Sequence, residues 1–569
     1  MRSECNAYRQ KRSRGMKLLK SMTAAISGIL LGGAVTSYAQ TYDLVILNGR
    51  VMDPETMLDG QFNVGVTDGR IEIITPAKIT GDDTIDATGH VVAPGFIDLH
   101  FHALDGLSLK LAALDGVTTG MDLEAGAINV AEWYAAKDKS GWPLNYGTGV
   151  SQEMTRTRIH DPEVDTSGWH DATSVFELRA KAVEKDNVPG WSVSRSSLEQ
   201  LNQILGYLDE ELRQGALSIA STIGYMSEGV TTFEMFKTQE VAANYGRLLG
   251  AHVRFHGNPS NPEGPLGTSE LLANAMALNA PFSLNHNNEY GWWENEEKLQ
   301  KARAQGYNVW SEHYPYSAAS TAISADFFSP EKFKILAGGR PYEETIYDPV
   351  QDKFLTQEEW EETSKADPGR TIFAFNPKRD EWLPYWLRTP HMIVASDAMW
   401  SGKGIDSWDL PPEDYVGHPR TAGTRGKTLS AGRENGVPLM FSIAQMAYWP
   451  AYHMGLTGLE GMQERGRLQE GMVADITIFD PETVKDNATY KSGEQGLPTT
   501  GIPYVIVSGV PVVRESEFQL DVRPGKSIRF PVEPKGRFKP ITVENWDRKH
   551  TIRGFTIDAG ALSSPNQGN

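Results

Sequence analysis

Side chains able to ligate a divalent cation recur along this chain at the ends of short apolar runs. His100-Phe101-His102 follows Phe96-Ile97-Asp98-Leu99. On a β-strand alternate residues share a face, so Asp98, His100 and His102 would point one way and Ile97, Leu99 and Phe101 the other. Two imidazoles at i and i+2 can chelate one cation from a rigid strand. Glu124 closes the run from Val117, with Thr118, Gly120, Asp122 and Glu124 on one face. His252 ends the run from Leu248, His286 follows Phe282-Ser283-Leu284-Asn285, and Asp397 ends Met392-Ile393-Val394-Ala395-Ser396. Any one of these has an ordinary reading as a core histidine, a helix cap or a solvated loop carboxylate. The series His-x-His, acid, His, His, Asp at successive strand ends does not.

The chemistry follows from the ligand types. Two divalent ions a few ångströms apart repel strongly, so a shared anionic ligand is needed between them, and Glu124 can fill that role. A bound divalent metal lowers the pKa of water from about 15.7 towards ~7 and polarises a carbonyl. Asp397 beside it would take the proton of the attacking water and pass it to a leaving nitrogen, acting as the catalytic acid/base. Nucleophilic catalysis by serine or cysteine is the weaker alternative. There is no Gly-x-Ser-x-Gly elbow, and the one cysteine, Cys5, precedes the mature chain inferred below.

These residues need a scaffold that brings strand ends together. From Tyr42 the pattern is short strands, with Asn48-Gly49 and Asp68-Gly69 as hairpin signals. After His102 strand-like runs alternate with helical ones such as Ser197 to Gly215 and Thr238 to Gly250. That alternation argues for βα units and a parallel barrel or sheet, with the active site at the strands' C-terminal ends. Strands return at Ala474 to Asp480, then at Val505 to Val507 and Val510 to Val513 around Ser508-Gly509. Pro511 in the last run suggests an edge strand. The expected division is a β-domain from 40–96 and 462–535 around a catalytic domain at 97–461. An insertion over the mouth is expected at about 322–390, and a polar, loop-like tail at 536–569.

Residues 1–39 have the layout of a secretory signal peptide: a basic start, an apolar stretch from about Met22 to Val35, and Ser37-Tyr38-Ala39 as a cleavage site. An exported protein, periplasmic or secreted by a bacterium, is expected, free of disulfides once Cys5 is removed. The chain of 569 residues carries a formal charge of −19 with 40% hydrophobic residues. No Lys/Arg cluster occurs beyond the leader, which argues against a nucleic-acid or anionic-membrane surface, and stable membrane insertion is not expected. A homo-oligomer is left open.

With these residues in hand, the chain resembles the amidohydrolase superfamily, and within it the D-aminoacylase (N-acyl-D-amino-acid deacylase) group. The general marks are Asp43-Leu44-Val45-Ile46, Pro94-Gly95-Phe96-Ile97-Asp98-Leu99-His100-Phe101-His102 and Gly471-Met472-Val473-Ala474-Asp475-Ile476. More particular to the group are Gly116-Val117-Thr118-Thr119, His252-Val253-Arg254, Tyr314-Pro315-Tyr316-Ser317-Ala318-Ala319-Ser320-Thr321 and His418-Pro419-Arg420. The resemblance implies a (β/α)₈ TIM barrel with a smaller β-sandwich domain, and hydrolysis of the linear amide of an N-acyl-D-amino acid such as N-acyl-D-glutamate. It implies a tighter metal on His252 and His286 and a weaker one on His100, His102 and Asp397. Tyr225, Asn288, Tyr314, Ser320 and Arg420 are the implied substrate contacts, Arg420 facing the substrate carboxylate.

This chain departs from the group's pattern twice. Glu124 stands where well-known members carry a bridging cysteine, so zinc is expected first but manganese or cobalt is compatible with the harder ligand. Asn288 stands where a lysine often helps to hold the substrate carboxylate; Arg340, Lys378 and Arg379 of the insertion are candidate replacements. Hydantoinases, dihydroorotases and isoaspartyl dipeptidases are the rival reading within the superfamily, and a non-catalytic scaffold the rival outside it. Many of the former bridge their metals with a carboxylated lysine, for which no lysine stands at a matching strand end.

Overall fold

The structure is a computed structural model that describes residues 41–184, 189–255 and 264–551. The expected leader, 1–39, lies outside the described residues. The chain opens with β1 (Thr41–Asp53), β2 (Leu58–Thr67), β3 (Arg70–Thr75), β4 (Thr80–Asp86) and β5 (Val91–Pro94). Then come β6 (Phe96–Asp98), β7 (Val117–Ala127), β8 (Asn145–Ser151), β9 (Ser218–Ser221), β10 (Leu248–Ala251), β11 (Phe282–Leu284) and β12 (Val309–His313). Four strands follow in the inserted segment: β13 (Ala318–Ala322), β14 (Ile346–Asp348), β15 (Lys353–Phe354) and β16 (Thr371–Phe375). The chain closes with β17 (Met392–Val394), β18 (Ile476–Phe479), β19 (Tyr504–Val507), β20 (Val510–Arg514) and β21 (Glu517–Phe518).

Strands β1–β5 and β18–β21 form one nine-stranded sheet from both ends of the chain, joined where β18 pairs antiparallel with β5. Its hub is β1, which pairs with β4 up to Leu47 and with β5 from Arg50. The switch falls at Asn48-Gly49, read from sequence as a hairpin turn. The structure corrects that: β1 continues through it, and the pair forms a bulge with Asn48 at φ 59°. Asn-Gly tolerates a left-handed backbone wherever one is needed, and here a bulge needs it. A side chain at Gly49 would meet Val92, which packs at that point. Asp68-Gly69 and Ser508-Gly509 do turn hairpins. Pro511 lies in β20 beyond the reach of β21, which pairs only Val513 and Arg514. The strand is an edge there, as its proline requires.

The eight strands β6–β12 and β17 run parallel in the order β17-β12-β11-β10-β9-β8-β7-β6, a nearly closed (β/α)₈ barrel. The intervening helices carry an apolar stripe towards it. In Leu198–Arg213 the sequence Ser197…Gln200 makes a capping box, and Leu201, Ile204, Leu205, Leu208 and Leu212 are buried at helical spacing.

Side chains help close the last seam. The Asp98 carboxylate accepts from the Ser396 N–H at 3.1 Å and from the Ser396 hydroxyl, pairs with Arg425 Nη1 at 3.0 Å, and accepts from the His100 N–H at 3.2 Å. Both charged groups are fully buried. Asp475 ties the β-domain to the barrel, accepting from Asn145 Nδ2 at 2.8 Å and Arg465 Nε at 2.9 Å.

The inserted strands form an antiparallel sheet, β13-β16-β14-β15, over a core including Ile323, Phe328, Phe333, Tyr342 and Ile372. This unit begins at Ala318, ahead of the expected 322. The tail contains a helix, Val543–His550, where loop was expected; Thr542 caps it and basic residues fill its last turn, which stabilises a polar segment. No helix among the described residues is long and apolar enough to cross a membrane.

Replacing Arg425 by methionine would strand the buried Asp98 charge at the barrel seam. Urea unfolding should show a loss of about 3–5 kcal/mol, the usual cost of breaking a buried ion pair. A loss below about 1 kcal/mol would mean that the seam does not depend on this pair.

Candidate metal centre

The barrel strands end around one cluster. Immediately after β6 the chain places His100 and His102 so that their Nε2 atoms converge at 3.0 Å. Gly120 on β7 makes room for this, because a side chain there would overlap the Phe101 ring between the two histidines. Behind them, His100 Nδ1 meets the Glu312 carboxylate and His102 Nδ1 lies 3.0 Å from Asp122. If each Nδ1 donates its proton to its carboxylate, two Nε2 lone pairs face each other. That repulsion requires a cation or protons between them.

Glu124, three residues from the end of β7, lies between two pairs of imidazoles. Its Oε2 is 3.3 Å from His100 Nε2 and 3.2 Å from His102 Nε2. Its Oε1 is 3.2 Å from His252 Nδ1 and 3.4 Å from His286 Nε2. Two triads able to hold a metal therefore share one carboxylate: His100, His102, Glu124 and Glu124, His252, His286. Asp397 Oδ1 stands 3.3 Å from His100 Nε2 and 3.6 Å from His102 Nε2, which adds it to the first triad. His252 follows β10, with the Gly224 backbone so close to its ring that a side chain could not fit. His286 and Asp397 follow β11 and β17 with left-handed backbone, φ 31° and 52°. Such angles in non-glycine residues cluster at functional sites.

The electrostatics describe a site that demands positive charge. Burial alone would lower the His100 pKa, but Asp397, Glu312 and Glu124 outweigh it and hold the ring well above its ordinary value. His102, likewise buried, is pushed up to about 10 by Asp122 and Glu124. Burial would raise Glu124, yet His100, His102 and His252 hold it well below the usual carboxylate range. His252 goes the other way: burial lowers it and neighbouring His286 adds to the effect. Neutral imidazoles and ionised carboxylates are what a divalent ion needs, and one bound here would replace the protons that now carry the charge. The donor set fits the group.

His102, Glu124, His252, His286 and Asp397 line a cavity of about 610 Å³, together with Tyr225, Tyr314 and Ser320. The Tyr225 ring lies 4.8 Å from that of His252 and its hydroxyl donates to Thr321 at 3.0 Å. Burial raises its pKa to about 12, so it stays a neutral phenol. Ser320 Oγ is buried and has no hydrogen-bond partner among the described residues, which leaves it available to a ligand.

Two of the expected substrate contacts, Arg420 and Asn288, lie behind the cavity wall. Arg420 is 1% exposed and is absent from the cavity wall; its Nη2 lies 2.8 Å from Asp397 Oδ1, with the guanidinium over the Tyr314 ring. A buried guanidinium pairs with the nearest carboxylate, and here that is Asp397. Asn288 is fully buried and clasps the Tyr314 main chain, donating to its carbonyl at 2.8 Å and accepting from its N–H at 3.4 Å. It positions Tyr314 and does not line the cavity. Among the insertion's cations, Arg340 and Arg379 line the cavity, whereas Lys378 pairs with Glu381 at the surface. Sequence reasoning missed Glu312, although it follows the run from Val309 much as the other ligand-type residues follow theirs.

No family model matches the chain. The D-aminoacylase of Alcaligenes xylosoxydans xylosoxydans is 25% identical over 507 residues, 85% of this chain and 96% of the relative. The N-acyl-D-glutamate deacylase of the same organism is 24% identical over 513 residues, 86% of this chain and 96% of the relative. Among solved structures, the N-acyl-D-glutamate deacylase of Bordetella bronchiseptica, complexed with zinc and a phosphonate mimic of the tetrahedral intermediate, superposes with a TM-score of 0.67. It is 23% identical, and the match covers 86% of this chain and all of that one. The barrel is the fold of that deacylase, and the curated relatives are likewise amide-cleaving deacylases. Over most of its length the chain is thus similar to enzymes of the D-aminoacylase group.

Glu312 fixes the ring of His100 from behind, so Glu312→Gln should loosen the first triad while leaving the second intact. Outer-sphere partners of this kind are typically worth ~10- to 100-fold in metal affinity. Competition against a fluorescent chelator should show one class of bound metal weakened by that factor; unaltered affinity for all bound metal would assign Glu312 a purely structural part.

Proposed function

We propose that this chain is an exported, metal-dependent hydrolase that cleaves N-acyl-D-amino acids to a carboxylate and a free D-amino acid. One observation carries the metal-dependent reading: Glu124 turns one oxygen to each of two histidine pairs, beside Asp397, at the floor of a cavity. The names of the relatives support an N-acyl-D-amino acid as substrate, and the leader-like pattern of residues 1–39 supports export.

His100, His102, Glu124 and Asp397 would hold one divalent ion, and Glu124, His252 and His286 a second, zinc being favoured and manganese or cobalt compatible with a carboxylate bridge. Such ions supply an acidified water and a polarised carbonyl when bound. The chain's own groups do the rest. Asp397 takes the proton of the attacking water and returns it to the leaving nitrogen, which otherwise would depart as a strongly basic amide anion. Arg420 pairs with the same Asp397 oxygen that faces His100 and fixes its direction. Ser320 Oγ offers a hydrogen bond to the substrate. Val175, Phe176, Trp191, Phe327, Phe333 and Leu336 give the cavity an apolar wall. That wall suits an apolar acyl group or side chain and keeps bulk water from the reacting atoms.

The test compares N-acetyl-D- with N-acetyl-L-amino acids bearing apolar and acidic side chains, before and after dialysis against a chelator. Hydrolysis of the D series is expected, lost on metal removal and restored by zinc, manganese or cobalt. Preference for the L series would sink the substrate assignment, and full activity in a verified metal-free preparation would sink the metal.

A further inference from the structure

The helix Ala172–Glu184 turns one stripe of residues into the cavity: Ala172, Val175, Phe176, Arg179, Ala180 and Val183, at the i, i+3, i+4 spacing of a single helix face. A stripe of this kind ordinarily buries itself against another element. Here it lines a cavity that leads to the metal centre. Its one charged member, Arg179, is paired with Glu153, Nε to Oε1 at 2.7 Å. The insertion contributes a second apolar stripe to the same cavity. Phe333 and Leu336 lie on the helix Pro330–Leu336, and Ala337 follows at the same spacing.

Aromatic rings join the metal centre to the insertion. Ring centroids are 4.8 Å apart for His252 and Tyr225, 5.4 Å for Tyr225 and Phe327, and 4.6 Å for Phe327 and Phe328. Phe333 follows at 6.4 Å from Phe328. Tyr225 packs against both the barrel core and the insertion core. Charged side chains of the wall are drawn to one another: Lys332 pairs with Glu228 and Asp326, and Arg379 with Glu289.

Cavities of ~300–1,000 Å³ hold drug-sized ligands, and this one measures about 610 Å³. An N-acetyl-D-amino acid is far smaller. Two groups of the substrate could occupy the rest, its side chain and its acyl group. The side chain is bounded, since no standard one exceeds that of tryptophan. The acyl group has no such bound, and an unbranched hydrocarbon chain is what apolar stripes on two helices can bury.

Resting on the substrate reading above, we propose that the acyl group is a long, unbranched fatty chain, seated along the helix Ala172–Glu184 and the insertion with its carbonyl at the metal centre. Water adds to that carbonyl and the C–N bond breaks, releasing a fatty carboxylate and the D-amino acid, whose nitrogen takes the proton. The insertion thereby sets the chain length that the enzyme accepts.

The experiment compares kcat/KM of the metal-loaded enzyme for N-acetyl-, N-butanoyl-, N-hexanoyl- and N-octanoyl-D-leucine, each below its micelle concentration. A rise of about two- to fourfold per added methylene is expected, fourfold being the worth of a methylene fully buried. Ala180→Trp, which fills the cavity from the helix, and Leu336→Glu, which places a charge on the insertion side, are each checked for wild-type metal content and circular dichroism. Each should lower the octanoyl-to-acetyl ratio of kcat/KM by about tenfold or more. Because a ratio is read, a general loss of activity cancels. A flat or falling series, or a ratio unmoved in both variants, would overturn the proposal and leave the deacylase reading standing. So would a preference for N-acetyl-D-tryptophan over N-octanoyl-D-leucine, which would give the cavity to the side chain. If the wild-type enzyme hydrolyses no N-acyl-D-amino acid of any chain length, the substrate reading fails first and the proposal falls with it.

Discussion

Much of this structure answers to one electrostatic constraint. Two cations cannot sit a few ångströms apart inside a protein unless an anion lies between them. Glu124 is positioned to be that anion, with Oε2 towards His100 and His102 and Oε1 towards His252 and His286. Meeting this demand takes four strands that are distant in sequence. β7 must carry the carboxylate, β6 must end where two imidazoles reach one oxygen, and β10 and β11 must end where two more reach the other. A parallel barrel brings all these ends to one rim. Its seam is reinforced by the buried Asp98–Arg425 pair, set two residues before His100, so part of the closure and the first ligand pair share a short stretch of chain.

The outer layer serves the same end. Glu312 and Asp122 orient His100 and His102, and Arg420 orients Asp397. These buried charges would be costly alone; each is set against an opposite charge or an imidazole. The insertion adds what the barrel lacks, an apolar wall over the mouth, and with the helix Ala172–Glu184 it makes the cavity large and one-sidedly greasy. The ligand-type cluster at the floor and the apolar wall above it are thus built by different parts of the chain.

The ligand-type residues were legible in sequence because each terminates an apolar run, and strand ends in a βα alternation converge whatever the intervening lengths. The hairpins at Asp68-Gly69 and Ser508-Gly509 were legible for the same local reason. Asn48-Gly49 was not, because the pair reports a left-handed backbone and says nothing about whether the chain reverses or bulges. Orientation was the other blind spot. The motif around Arg420 marks its position at the start of a helix, but which way its guanidinium turns depends on buried carboxylates such as Asp397, which follows β17.

The most direct test of Glu124 as the shared anion is elemental analysis of the purified protein beside its Glu124→Gln variant, which keeps the shape of the side chain and removes the charge. The wild-type protein should retain divalent metal through dialysis, and the variant should lose at least about half of it, because two cations without a shared anion repel each other out of the site. Equal metal content in the two proteins would contradict the role of Glu124 as the anion that holds the two cations together.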